Sequence, residues 1–67
     1  MEIKVKYKGK EIKLKINKDK VKAIDILNEL KLSPEYAFIA KNGEIISEDE
    51  YIFPEDDIKV VNAISGG

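Results

Sequence analysis

The sequence predicts an α+β domain: a mixed sheet of four to five strands with one helix packed across it. Two strictly alternating apolar runs at the start meet at a short glycine turn, which is the pattern of a hairpin. The apolar period then lengthens to that of an amphipathic helix. Beyond Pro34 it returns to strand-like runs broken by Asn42-Gly43 and Pro54. Strands on both sides of a single helix give the order strand, strand, helix, strand, short strand, strand.

In residues 1–7, Ile3, Val5 and Tyr7 share one face, and Glu2, Lys4 and Lys6 the other. Lys8-Gly9-Lys10 supplies a turn with glycine available for positive φ. Ile12, Leu14 and Ile16 then alternate with Glu11, Lys13 and Lys15, completing the hairpin. Its wet face is mostly lysine: Lys4, Lys6, Lys13 and Lys15. A nucleic-acid-binding face would look like this, but no aromatic residue is interleaved for base stacking. Lysine on solvent faces is also the ordinary guard against edge-to-edge pairing.

Asp19 is placed to cap the helix that follows. Ala23, Ile26, Leu27 and Leu30 fall at i, i+3, i+4 and i+7, and Val21 and Ile24 widen that stripe. A helix of about ten to twelve residues is marginal in isolation, so it must lie on the sheet. Pro34 stops it. Residues 36–41 read as the third strand, Asn42-Gly43 as a tight turn and residues 44–46 as a short strand. Residues 47–50 form a polar loop, residues 51–53 return apolar side chains to the core, and residues 54–57 turn. The last strand begins at Ile58, and it and the first strand are expected to pair in parallel at the centre.

Composition narrows the chemistry. A chain of 67 residues with 43% apolar and 37% charged side chains is a single folded domain with a thin stability margin. Residues 1–64 are expected to form it, with 65–67 as a flexible Ser-Gly-Gly tail. Without cysteine or histidine, there is no thiolate nucleophile, Ser-His pair or histidine-based zinc site. No apolar run reaches the roughly 18 residues of a membrane span, and no signal-peptide pattern appears. The expectation is a soluble, cytoplasmic protein without a membrane partner. The net charge of −1 hides a bipolar chain. Residues 1–31 hold ten lysines against five acids, and residues 32–67 hold two lysines against eight.

Gly66-Gly67 follow the final strand after Ala63-Ile64-Ser65. Glycine has no Cβ and can enter a slot too narrow for side chains, so this end is either a threading element or an ordinary tail. Exposed apolar residues near it are candidates for docking. If Phe38 and Val60 point inward, then Ile39, Val61 and Ala63 point outward, with Ile64 at the root of the tail; the other reading is ordinary scattered exposure.

The hairpin, the helix segment Ala23-Ile-Asp-Ile-Leu-Asn-Glu-Leu30, the run Ile39-Ala-Lys-Asn-Gly-Glu-Ile-Ile46 and the ending Asp57-Ile-Lys-Val-Val-Asn-Ala-Ile-Ser-Gly-Gly67 together resemble the β-grasp (ubiquitin-like) fold. Specifically, they resemble the small sulfur carriers of the ThiS/MoaD type. The chain departs from that pattern in having Asp56-Asp57 where Gly-Asp is frequent; aspartate tolerates left-handed backbone, so the turn can persist. It also lacks the prolines that often precede the glycines in the molybdopterin branch, which favours thiamine biosynthesis or tRNA thiolation.

The resemblance implies that the chain is a protein co-substrate rather than an enzyme. An E1-like activating enzyme would adenylate Gly67, and a thiocarboxylate would then carry sulfur to a biosynthetic enzyme. Ser65 and Gly66 would thread the partner. No cofactor would be bound by this chain, since Mg-ATP and the sulfur donor are used by the activating partner. Two alternatives stay open: a ubiquitin-like modifier joined through Gly67 to target-protein lysines, and a non-covalent binding module using the lysine-rich hairpin face.

Overall fold

A computed structural model describes residues 1–63. Strands β1 (Glu2–Tyr7) and β2 (Lys10–Lys15) form the N-terminal hairpin, followed by β3 (Val21–Lys22) and helix α1 (Ala23–Glu29). Strands β4 (Ala37–Lys41), β5 (Glu44–Ile46), β6 (Tyr51–Ile52) and β7 (Ile58–Asn62) complete the order. The main sheet runs β2-β1-β7-β4-β5, and β3 pairs with β6 in a separate two-stranded sheet. As expected, β1 and β7 pair in parallel, and β7 occupies the middle of the five strands.

Turn chemistry fixes both hairpins. Lys8 (φ 52°) and Gly9 (φ 74°) join β1 to β2, and Asn42 (φ 52°) and Gly43 (φ 87°) join β4 to β5. Two successive positive φ values make a type I′ turn, whose twist matches that of paired strands. Asparagine accepts this geometry readily; lysine at the first position carries a steric cost.

The core is made from one face of the sheet and the buried side of the helix. Ile3, Val5 and Leu14 come from the hairpin, Ile26 and Leu27 from α1, Ile39 from β4, and Ile58 and Val60 from β7. Val21 and Ile52 are also buried, closing the core where the two short strands pair. No polar or charged residue is buried among the described residues. Among the described residues no helix or second sheet layer covers the sheet's other face.

Several local expectations change. Helix α1 begins at Ala23 because Val21-Lys22 is drawn into pairing with Tyr51-Ile52. Asp19 therefore lies outside the helix and does not cap it. Instead, the Asp25 carboxylate accepts the Lys22 N–H at 2.9 Å. The carbonyls of Glu50 and Glu48 accept the N–H groups of Ala23 and Ile24 at 3.0 and 2.9 Å. The loop preceding β6 thus satisfies helix-end donors that would otherwise lack partners. A 2.7 Å hydrogen bond from Lys18, with help from the Lys22 N–H, holds the Asp25 carboxyl below its usual pKa.

At its other end α1 stops before Pro34, at a Schellman motif. Leu32 N–H reaches the Leu27 carbonyl at 2.8 Å and Lys31 N–H the Asn28 carbonyl at 3.1 Å, with Lys31 itself at φ 59°. Lysine is a costly occupant of a left-handed position that glycine fills freely. Lys31→Gly is expected to raise unfolding free energy by about 0.5–1 kcal/mol, after the entropy gained by the unfolded chain is deducted. For a domain of this size that is roughly 3–6 °C in the thermal midpoint. A lower midpoint would contradict the cap assignment.

The turn before β7 needs no left-handed aspartate. Neither Asp56 nor Asp57 has positive φ. The Asp56 carboxylate accepts the Phe53 N–H at 2.8 Å, while Asn42 accepts the Asp57 N–H through Oδ1 at 2.9 Å. The Asn42 N–H in turn donates to the Asp57 carbonyl at 2.8 Å. Of residues 51–53 only Ile52 enters the core; Tyr51 and Phe53 are 44% and 49% exposed.

Candidate functional site

The end of β7 is the root of the C-terminal segment, and both of its sides are set by sequence. On the β4 side, the Ser33 hydroxyl accepts the Glu35 N–H at 3.1 Å, and the Ser33 carbonyl accepts the N–H of Ala37 at 2.9 Å. This Ser-Pro turn delivers the Tyr36 carbonyl to the Ala63 N–H at 2.6 Å. The chain is thereby hydrogen-bonded one residue past the last strand position. On the β1 side, the parallel register matches Lys6 with Lys59 and Tyr7 with Val60. The Lys8-Gly9 turn therefore sits at the end of the sheet from which residues 64–67 continue.

The open sheet face at this end is divided chemically. Cross-strand pairs Phe38↔Val61 and Ala40↔Ile45 put apolar side chains on the β7-β4-β5 half, with Lys59, opposite Ala40, at its border. Pairs Glu2↔Lys15, Lys4↔Lys13, Lys6↔Glu11 and Lys6↔Lys59 make the β2-β1 half charged, with lysine in excess. Phe38 and Val61 are half-buried, Ala63 is exposed, and Ile45 is 69% exposed.

This register corrects one predicted docking residue. Ile39 lies directly opposite Val60, so both point to the helix side, and Ile39 is buried at 1% exposure. Residues opposite one another across an antiparallel pair share a face, and a slip of one residue exchanges the faces. Phe38 rather than Ile39 accompanies Val61 on the open face. Val61 and Ala63 lie where the sequence put them; Ile64, Ser65, Gly66 and Gly67 fall outside the described residues. Missed altogether were Ala40 and Ile45. An unbroken apolar run in 37–40 and the Ile45-Ile46 pair were the available signals, since neither strand has enough polar residues to mark a solvent face.

Among the described residues the lysine face has few ion-pair partners. Lys6 approaches Asp57 at 4.0 Å, with both side chains largely exposed, a contact that contributes little. Lys8 lies 5.4 Å from the centroid of the Tyr7 ring. No ion pair among the described residues involves Lys8, Lys10 or Lys59. Away from this face, Lys41 donates to Glu50 at 2.8 Å, which raises the lysine pKa and ties the end of β4 to the loop before β6.

A sheet ordered β2-β1-β7-β4-β5, with parallel central strands and one helix across a single face, defines a β-grasp domain. Residues 5–67 match the ThiS family, with the match running through Gly67, and the chain belongs to that family. It is thus a small sulfur carrier rather than an enzyme, of a family that works with E1-like activating enzymes and sulfur-accepting enzymes. Among the described residues no helix is long and apolar enough to cross a membrane.

Proposed function

We propose that the Gly67 carboxylate is the group that carries the sulfur. An oxygen of that carboxylate attacks the α-phosphorus of Mg-ATP held by the activating partner; pyrophosphate leaves and an acyl-adenylate remains. A sulfide-level nucleophile supplied by the donor then attacks the acyl carbon, the bond from that carbon to the AMP oxygen breaks and AMP leaves. Free sulfide gives the C-terminal thiocarboxylate directly, whereas a donor persulfide gives an acyl disulfide from which a second thiol of the partner, forming a disulfide with the donor sulfur, releases the thiocarboxylate. Both displacements depend on an unhindered, well-positioned acyl group, and positioning supplies much of the rate in such reactions. Gly66 and Gly67 offer no side chain to obstruct entry, and Ser65 adds only a small one. Mg-ATP and the sulfur donor come with the partner, so this chain binds no cofactor of its own.

The observation that carries this reading is the family match through Gly67 on a chain whose central strand is hydrogen-bonded as far as Ala63. Phe38, Val61 and Ala63, with Ala40 and Ile45 beyond them, form the docking patch at the end of β7, and Ile64, next in sequence, is a further candidate for contact with the partner. An apolar centre of this kind with a polar rim is the usual anatomy of a protein interface. Of the sulfur-transfer routes, thiamine biosynthesis or tRNA thiolation fits better than molybdopterin synthesis, because residues 62–65 contain no proline. The place of action is the cytoplasm.

The test is the intact mass of the chain after incubation with candidate E1-like enzymes, Mg-ATP and a sulfur source. One sulfur-for-oxygen exchange located at Gly67 is expected. Absence of that product with a complete set of candidate activators would overturn the proposal, and recovery of Gly67 joined to lysines of other proteins without thiocarboxylate would replace it with the modifier role.

A further inference from the structure

Four lysines gather around the β1-β2 turn and the first residues of β7. Lys6, Lys8, Lys10 and Lys59 line a shallow concavity of about 520 Å³, together with Glu11 and Asp57, so lysine outnumbers acid two to one. The parallel β1-β7 register places the Lys8-Gly9 turn beside the last residues of β7, where the Tyr36 carbonyl holds Ala63. This concavity adjoins the apolar patch at Lys59, which lies opposite Ala40. Basic collar, apolar patch and tail root are therefore contiguous.

From this geometry we infer that the lysine collar docks against an acidic rim around the channel by which the activating partner admits the tail. The inference rests on the carrier reading above. Chain geometry separates a rim from the reaction centre. Four residues follow Ala63, and fully extended they span at most about 13–14 Å. A lysine's four-carbon stem covers only about half of that distance, so the collar reaches the mouth of such a channel and not the phosphates at its end.

The face itself argues against RNA as the occupant. The outward positions of β1, β2 and β7 bear no aromatic residue, and the Tyr7 ring, in register with Lys10 and 5.4 Å from Lys8, is partly buried against the core rather than standing free for a base to stack on. An acidic protein surface needs no such platform. Exposed charges at the edge of an interface chiefly speed encounter and lose their effect in salt, which makes the collar a device for selecting and orienting the partner.

Lys8 permits a test in which stability and docking move in opposite directions. Asparagine suits the φ of 52° at this position better than lysine, so Lys8→Asn is expected to hold or raise the thermal midpoint while removing a collar charge. Steady-state loading by the E1-like enzyme that passes the mass test is compared for the unsubstituted chain and the Lys8→Asn/Lys10→Gln double variant. At about 50 mM salt the variant's KM for the carrier is expected to rise roughly tenfold with kcat unchanged, and at about 0.5 M salt the two chains should agree within about twofold. Equal KM at low salt overturns the collar while leaving the carrier reading intact. A loss confined to kcat overturns it too. If the unsubstituted chain is not loaded by any activator, the carrier reading fails first and the collar falls with it. In a parallel titration with a single-stranded RNA oligonucleotide, micromolar binding that disappears in the double variant would reassign the collar to nucleic acid; no binding is expected.

Discussion

Deleting Gly67, or Gly66 and Gly67 together, is expected to abolish sulfur loading and leave the folded domain as stable as before. Deletion of Gly67 transfers the terminal carboxylate to Gly66 and draws it back by one residue, about 3.3–3.6 Å along the chain. A displacement of even 1 Å can lower the rate of a positioned reaction by about a hundredfold, so the shortened carboxylate should show no product above background. Replacing Gly67 by alanine keeps the length and adds one methyl group, and loading should fall without vanishing. Stability should not follow these losses. Among the described residues the last one buried in the core is Val60, and no residue after Ala63 takes part in the strand pairing described. Thermal midpoints of the truncated and intact chains should therefore agree within about 0.5 kcal/mol of unfolding free energy, the range of a surface change. A truncated chain that still accepts sulfur would locate the acceptor elsewhere and sink the assignment of Gly67.

The parts of this fold legible from sequence are those governed by local chemistry. Period-2 alternation identified both strands of the first hairpin, and Gly9 and Asn42-Gly43 fixed turns whose positive φ values few other residues accept. Helix α1 was legible in its buried stripe but not in its start. Val21-Lys22 has no local signal for a strand, and becomes one only because Tyr51-Ile52 arrives from 29 residues further along to pair with it. Its stop at Lys31 was equally hidden, since lysine is a poor left-handed cap and the Schellman hydrogen bonds override that preference.

At the candidate site the difficulty was facial rather than local. Ala37, Phe38, Ile39 and Ala40 are all apolar, as are Val60 and Val61, so alternation assigns neither strand a wet side. Only the cross-strand register decides, and it selects Ile39 with Val60 for the core. Of the collar lysines only Lys6 belongs to the face that alternation marks; Lys8 and Lys10 flank the turn glycine, and Lys59 lies in the last strand. Their proximity to the tail emerges only from the parallel pairing of β1 with β7, a contact across more than fifty residues of sequence.

That register makes the second large prediction, a contrast between two neighbours in β4. Ile39 is 1% exposed and packs in the core with Val60, so Ile39→Ala is expected to lower unfolding free energy by about 2–5 kcal/mol. Since a domain of this size holds roughly 3–10 kcal/mol in total, the variant should melt well below the parent, and the loss is read from its denaturant midpoint. Phe38 is half-buried on the open face, opposite Val61, and Phe38→Ala should cost only about 1 kcal/mol of stability. Its effect falls instead on the partner. An aromatic side chain at the centre of an interface commonly contributes about 2 kcal/mol or more, so KM for loading should rise at least roughly tenfold at a temperature where both chains are folded. Ile39→Ala, assayed at that temperature, should retain a KM within about threefold of the parent, because the open face is unchanged. The reverse pattern, with Phe38→Ala unfolding the domain and Ile39→Ala impairing docking, would mean that β4 lies with its other face to the helix. The apolar patch would then be Ile39 and Val60, and the surface assigned to the activating partner would have to be redrawn from the register outward.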